Sequence, residues 1–300
     1  MENLLSLNDL KRETLFELLD LSDKIKNGVT NPSLHGKKIA LLFEKPSLRT
    51  RASFEIGMNE MGGICVSFND SEFGMGERES AVDIAKVLSR YVDIIAARVN
   101  NHSDLITLSN NATIPIINSL SDLEHPLQTL ADLMTIREKK GELNKLNITF
   151  IGDGNNVSSS LALGCALVGA NFTIASPKNY ELPQSIIKQA NLIANNNDWI
   201  QLVRNPKDAV NNADVIYTDV WTSMGQDQER KDRSKAFKDY KVTSEILGSA
   251  KKDVIFMHDL PAHRGEEVED GIIEHEQSVV FDQAENRLHT QKALIAYLIG

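Results

Sequence analysis

Two cysteines in 300 residues exclude a disulfide framework. Cys65 and Cys165 each sit in an apolar segment without metal-ligand spacing around them, so both read as small buried hydrophobes in a reducing, cytoplasmic compartment. No apolar run approaches the ~20 residues of a membrane span. The stretch Met1-Glu2-Asn3-Leu4 lacks the basic flank and apolar continuation expected of a secretory signal. Basic residues are in deficit, 32 Lys and Arg against 42 Asp and Glu, a net charge of −10. That excludes nucleic acid and anionic membrane from the expected partners, and any anionic ligand must be drawn in by a local basic cluster. Internal repeats and low-complexity segments are absent too. What is left is an ordinary globular composition, 41% hydrophobic and 25% charged.

Short apolar runs alternate with helix-length stretches along the whole chain. Candidate strands are Ile39–Phe43, Ile64–Phe68, Ile94–Arg98, Ile114–Asn118, Ile148–Gly152, Phe172–Ala175, Ile200–Val203, Val215–Val220, Val254–His258 and Val279–Phe281. The alternation predicts an α/β protein of two domains, each a parallel sheet flanked by helices. A helix beginning near His125 is expected to end in the polar stretch Arg137 to Lys145, the best boundary in the chain. The expected domains are 1–137 and 145–284, with a last helix, 285–300, packing back on the first. The charged run Gln226 to Lys238 reads as a surface loop, a solvated helix or a lid.

The most informative stretch is Ser47-Leu48-Arg49-Thr50-Arg51, two hydroxyls and two guanidiniums between an apolar run and an amphipathic stretch carrying Phe54, Met58 and Met61. It reads as strand, tight loop, helix, with the motif at the helix start, where N–H groups and the positive dipole end favour an anion. Arginine forks and hydroxyl donors suit phosphate oxygens. Taken alone it is also an ordinary serine cap followed by two solvated arginines. The rest of the pattern decides against that, because polar residues recur where strands end, the place where open α/β sheets bind ligands. Arg98 ends the third strand and His125 follows the fourth. Gly152-Asp153-Gly154-Asn155-Asn156 opens the second half; Asp219 and Ser223 follow one later strand, His258 and Asp259 another. They describe two facing rims with a cleft between.

His125-Pro126-Leu127-Gln128 opens a helix with proline in its first turn. His125 and Gln128 share a face and can serve a carbonyl oxygen and an attached amine. The glycine pair at 152 and 154 invites a dinucleotide reading, but the third glycine position is Val157 and no acidic residue ends the next strand. Asn155 and Asn156 instead offer amides suited to a carboxylate, and Asp219 could hold an ammonium. Asp259 either caps its loop or faces the cleft. Glu285-Asn286-Arg287 is expected to open the last helix, where an arginine opposes the dipole and so favours an anion partner.

Together these residues resemble the aspartate/ornithine carbamoyltransferase family along essentially the whole chain. Ser47–Arg51 matches its carbamoyl phosphate signature and His125–Gln128 its second signature. The Ser-Met-Gly within Asp219–Gly225 resembles the ornithine loop rather than that of the aspartate branch. The resemblance implies carbamoyl transfer to the δ-amine of ornithine, giving citrulline and phosphate, in a homotrimer or a multiple of it, without metal or organic cofactor. It implies that Ser47, Leu48, Arg49, Thr50, Arg98, His125, Gln128 and Arg287 hold carbamoyl phosphate. Asn156, Asp219, Ser223, Met224, Asp259 and the backbone of Leu260 would hold ornithine, and Arg49, Thr50, Arg98, His125 and Asp259 would carry the chemistry. Two places depart from the family pattern. Asp259 stands where the ornithine branch usually has cysteine. The loop that a neighbouring subunit lends reads Gly74-Met75-Gly76, with Glu72, Glu77 and Arg78 nearby, in place of Gln or His before a Leu-Gly pair. Other amines (putrescine, N-acylated ornithine) and a non-catalytic homologue are the alternatives.

Overall fold

The apolar run after Lys37 becomes β1 (Lys38–Phe43), buried from Ile39 onward and paired in parallel on both sides. A strand in that position needs apolar side chains on both faces, which is why it reads as a run and not as an alternation. The computed structural model describes residues 2–223 and 227–300. Its residues divide into two compact units, Met1–Met134 with Glu285–Gly300, and Thr135–Ala284.

In the first unit the strands β1, β2 (Ile64–Asn69), β3 (Ile94–Arg98) and β4 (Ile116–Leu120) form a parallel sheet of order β2-β1-β3-β4. Parallel neighbours need crossovers, and helices supply them: α1 (Arg12–Lys26) precedes the sheet, and α2 (Leu48–Glu60), α3 (Asp70–Phe73), α4 (Ala81–Leu88) and α5 (His102–Asn111) follow in turn. Leu4 bridges Ile117, so the N-terminal segment covers the β4 edge. The β2 edge is different. Ile64 and Val66 on one face of that strand are exposed, and so are Leu48 and Ile56 on α2. Cys65, expected buried, is half-buried there; burial pushes its thiol up to about 12.

The helix α6 (Pro126–Lys140) runs from the first unit into the second. The second unit holds β5 (Asn147–Ile151), β6 (Asn171–Ala175), β7 (Gln201–Val203), β8 (Val215–Thr218) and β9 (Ile255–His258), again all parallel, in the order β7-β6-β5-β8-β9. Its helices are α7 (Asn156–Val168), α8 (Gln184–Ala194), α9 (Pro206–Ala209), α10 (Arg230–Phe237) and α11 (Ser244–Gly248). The charged run resolves into α10, and it is not solvated all round. Arg233 and Phe237, one turn apart, are buried, with the Arg233 guanidinium 4.9 Å from the Tyr180 ring centre and 5.6 Å from that of Phe237.

The tenth expected strand, Val279–Phe281, is not one. Val279 N–H donates to Phe256 C=O, and the chain then enters α12 (Val280–Ile299) at once. This helix packs back on the first unit. Lys292 reaches Glu60 at 2.8 Å, and Lys26 reaches Asn286 at 2.8 Å. A side chain at Gly57 would meet Lys292 Cγ at 3.0 Å, so glycine sets how closely α2 and α12 approach. Because α12 starts at Val280, Arg287 lies two turns in, not in the first turn. The dipole argument for its partner fails, and its surroundings must supply the reason for its place.

Candidate active site

Each unit gathers polar residues at the carboxyl ends of its strands, next to the pair where strand order reverses: β1 and β3 in the first, β5 and β8 in the second. After β1 the chain turns through Glu44-Lys45-Pro46 into α2. Ser47 caps that helix with extended backbone, and its Oγ accepts the Thr50 N–H at 3.4 Å. The serine cap therefore forms at the same helix start that is expected to take an anion. Arg51 is exposed and pairs with Glu55 at 2.7 Å, whereas Thr50 is buried and its Oγ1 accepts from Arg287 Nη2 at 3.0 Å.

β3 ends in Arg98, where pairing with β4 slips between Ala97 and Arg98; a bulge of this kind re-aims a side chain, and Arg98 is buried. Gln128 joins the set through both ends of its amide. Nε2 donates to Asp132 at 2.9 Å, and Oε1 accepts from Arg287 Nη1 at 2.5 Å. A carboxylate only accepts and a guanidinium only donates, so the amide has one orientation. His125 is 3% exposed. Burial, and after it the guanidiniums of Arg287, Arg98 and Arg49, hold its imidazole well below the ordinary histidine range. A neutral imidazole among three guanidiniums, beside a helix N-terminus with two hydroxyls, is built for a multiply charged oxyanion carrying a carbonyl.

In the second unit the glycine pair has a packing role. A Cβ on Gly154 would lie 2.2 Å from the Glu181 backbone, and Gly154 N–H donates to Tyr180 C=O at 2.8 Å. Asn155 caps α7 with Oδ1, accepting from Val157 and Ser158 N–H, while Nδ2 donates to Asp219 at 2.7 Å. That bond spans the β5/β8 reversal. Asn156 opens α7 beside it. Asp153 forms an ion pair with Arg233, and burial still pushes its carboxyl up to about 6. Arg233 also donates through Nε to the Trp221 carbonyl at 2.5 Å, two residues before Ser223. Met224 lies outside the described residues.

Asp219, His258 and Asp259 bring one ligand atom each to within 4.8 Å of one another. Both imidazole nitrogens are engaged, Nδ1 accepting the Leu260 N–H at 2.9 Å and Nε2 lying 3.2 Å from Glu267. The ring is therefore closed to a metal, and the two carboxylates that remain suit an ammonium group.

The carbamoyl-P binding domain of aspartate/ornithine carbamoyltransferase matches residues 2–138, and the Asp/Orn binding domain of the same family matches residues 144–298. The chain belongs to the aspartate/ornithine carbamoyltransferase family. The ornithine carbamoyltransferase of Archaeoglobus fulgidus is 47% identical, over 100% of this chain and 98% of that protein. A relative from Thermoplasma acidophilum named as catabolic is 44% identical, over 99% of this chain and 98% of its own length. The solved ornithine carbamoyltransferase of Pyrococcus furiosus superposes with a TM-score of 0.95 at 45% identity, covering 100% of this chain and 97% of that one. Within this carbamoyltransferase, sequence reasoning passed over Asp132, Arg233 and Glu267, and it read Asn155 as an amide for a carboxylate where its side chain caps α7 and donates to Asp219. Asp132 lies one turn beyond Gln128 and Glu267 one loop beyond His258, while Arg233 pairs with the distant Asp153; none of the three falls inside a stretch the motifs mark.

The buried imidazole of this carbamoyltransferase predicts a pH dependence of stability. Unfolded histidine titrates near ~6.5. The folded His125 binds its proton only at lower pH, so below ~6.5 the unfolded chain holds more protons and stability falls with pH. The slope from this residue is about 1.4 kcal/mol per pH unit. Burial depresses His102 and His289 as well, adding in the same direction. Asp153 opposes them between its unfolded value and about 6, because its folded form holds the proton longer. Urea midpoints measured from pH 7.5 to 5 should fall steeply in the wild type and less steeply in His125→Gln. Parallel curves would show that His125 is not the titrating group.

Proposed function

We propose that the chain transfers the carbamoyl group of carbamoyl phosphate to the δ-amine of L-ornithine, forming L-citrulline and releasing phosphate. The observation that carries this reading is that Arg287 joins Gln128 of α6 to Thr50 at the start of α2, in a buried set with His125 and Arg98. The guanidiniums, with Ser47 and Thr50, hold the phosphate oxygens. The neutral His125 N–H and Arg98 face the carbonyl oxygen, which gains negative charge as the amine attacks; a preorganised donor of this sort contributes ~10²–10³ in rate. Gln128, fixed by Asp132, orients the donor. The δ-nitrogen forms its bond to the carbonyl carbon, the carbon–oxygen bond to phosphate breaks, and the amine gives up a proton. No electron changes hands, so the reaction calls for neither a redox group nor another cofactor. Asn156 suits the α-carboxylate and Asp219 the α-ammonium, with Ser223, Met224, Asp259 and Leu260 completing the amine side.

An assay with ornithine, putrescine, N-acetylornithine and aspartate tests the substrate. Turnover of ornithine should exceed that of the others by at least ~100-fold, since putrescine lacks the carboxylate and N-acetylornithine the α-cation; each loses a charge-assisted contact. Preference for putrescine, or no turnover at all, would overturn the reading.

Self-association goes with this function. The exposed Ile64 and Val66 of edge strand β2, with Leu48 and Ile56 on α2, form an apolar surface beside an unpaired edge, which natural proteins cover. Sedimentation should give three copies or a multiple of three; a fully active monomer would contradict it. That neither Cys65 nor Cys165 is in a disulfide supports a cytoplasmic location. Among the described residues no helix is long and apolar enough to cross a membrane, and the net charge of −10 supports small-molecule substrates over nucleic acid.

A further inference from the structure

Beyond β9 the chain makes a corner, Asp259-Leu260, and Leu260 takes a left-handed backbone with φ +58. A leucine does not hold that conformation without support. Hydrogen bonds through His258 supply it. Leu260 N–H donates to His258 Nδ1 at 2.9 Å. Nδ1 can accept only if the imidazole proton sits on Nε2, and Nε2 lies 3.2 Å from Glu267 Oε1. Glu267 and His258 are both 0% exposed. The same carboxylate oxygen accepts the His263 N–H at 2.5 Å, and Glu267 C=O accepts the Val242 N–H at 2.9 Å, so the carboxylate is held from a neighbouring segment. Gln283 fixes the other side of the imidazole's own residue, accepting the His258 N–H at 2.9 Å and donating to Tyr217 at 3.0 Å.

We propose that Glu267 and His258 are positioning residues for the amine site: the buried carboxylate fixes the tautomer of His258, and His258 holds the Leu260 N–H, so that the Asp259-Leu260 corner meets the substrate amine in one geometry. The inference rests on the reading of Asp259 and Leu260 as contacts of ornithine. A carboxylate does this job better than a neutral amide, because it has no donor with which to select the other tautomer. Neither residue touches substrate. Both act through the corner.

A merely structural pair, if weakened, would affect both substrates alike. The positioning role predicts a split. Glu267→Leu should raise the ornithine KM about tenfold, the loss expected for one positioned hydrogen bond, with the carbamoyl phosphate KM within about twofold of wild type. Glu267→Gln keeps an acceptor and should recover most of that loss. His258→Asn can still accept the N–H two residues ahead, as Asx turns do, and should stay closer to wild type than His258→Phe. If Glu267→Leu does not fold, the His258 pair carries the same comparison. A second readout does not depend on the substrate: hydrogen exchange of a peptide spanning residues 258–262 should speed up in Glu267→Leu and His258→Phe, and return toward wild type in His258→Asn. Unchanged exchange in Glu267→Leu overturns the relay itself, whichever amine is used. A wild type that carbamoylates no ornithine overturns the substrate reading, not the relay. Equal changes in both KM values, or an unchanged ornithine KM in a folded Glu267→Leu, refute the positioning role.

Discussion

Arg49→Ala is expected to slow carbamoyl transfer by at least ~100-fold in a protein that remains folded. Arg49 is the second residue of α2, half-buried, on a helix held by the Ser47 cap and by the buried side chains of Phe54 and Met58. Its field reaches the imidazole of His125, which groups it with Arg98 and Arg287 around that ring. Two charge-assisted hydrogen bonds to a phosphate, at ~1.5–3 kcal/mol each, correspond to ~10²–10⁴ in rate when they strengthen in the transition state. Arg51→Ala is the control, since Arg51 is exposed and pairs with Glu55 on the helix surface; it should stay within about twofold. The measurement is steady-state turnover at saturating substrates, with circular dichroism to verify folding. An Arg49→Ala enzyme that keeps more than half of the wild-type rate rules out the phosphate role.

The contrast between Arg49 and Arg51 shows how far the sequence could be read. Strand cores such as Ile39–Phe43 and Ile94–Arg98 were legible because both faces of an inner parallel strand are buried, leaving unbroken apolar runs. The candidate anion site stands out because helix start, hydroxyls and guanidiniums lie within five consecutive residues, Ser47 to Arg51. Val279–Phe281 misled because three apolar residues fit a strand and a helix start equally well, and only the contact of Val279 with Phe256 shows where β pairing stops. Arg287 was picked out for a dipole conflict that its position in α12 removes. Thr50 and Gln128, distant in sequence, are what hold it. The burial of Arg233 in a charged run depends on Tyr180, Phe237 and Asp153, and Glu267 depends on a loop closing over His258. Such pairings form only once the chain is folded, and no local pattern announces them.

The carboxylates on the amine side should separate in their effects. Asp219 is buried, bonded to Asn155, and lies in the same cluster as Asp259. Asp219→Asn keeps the shape and removes the charge, so the ornithine requirement should rise ~100-fold, the cost of losing the partner of a desolvated ammonium, while the carbamoyl phosphate requirement changes less than about twofold. Equal effects on the two substrates would make Asp219 structural. For Asp259 a second effect is expected, because the attacking nitrogen must be neutral. An adjacent carboxylate attracts the incoming δ-ammonium, and by favouring the charged form it also raises the pH at which that group releases its proton. Asp259→Asn should therefore weaken ornithine binding by ~10-fold and move the pH optimum downward, since the bound amine then loses its proton at lower pH. Asp259→Cys restores the residue type usual in the ornithine branch. Its thiol, neutral below a pKa of ~8.5, should resemble the Asn variant near pH 7 and approach wild type above pH ~9 as the thiolate forms. Rate profiles from pH 6 to 10 for the three proteins decide the matter: superimposable curves for Asp259→Asn and wild type would leave Asp259 as a loop cap without a part in the chemistry.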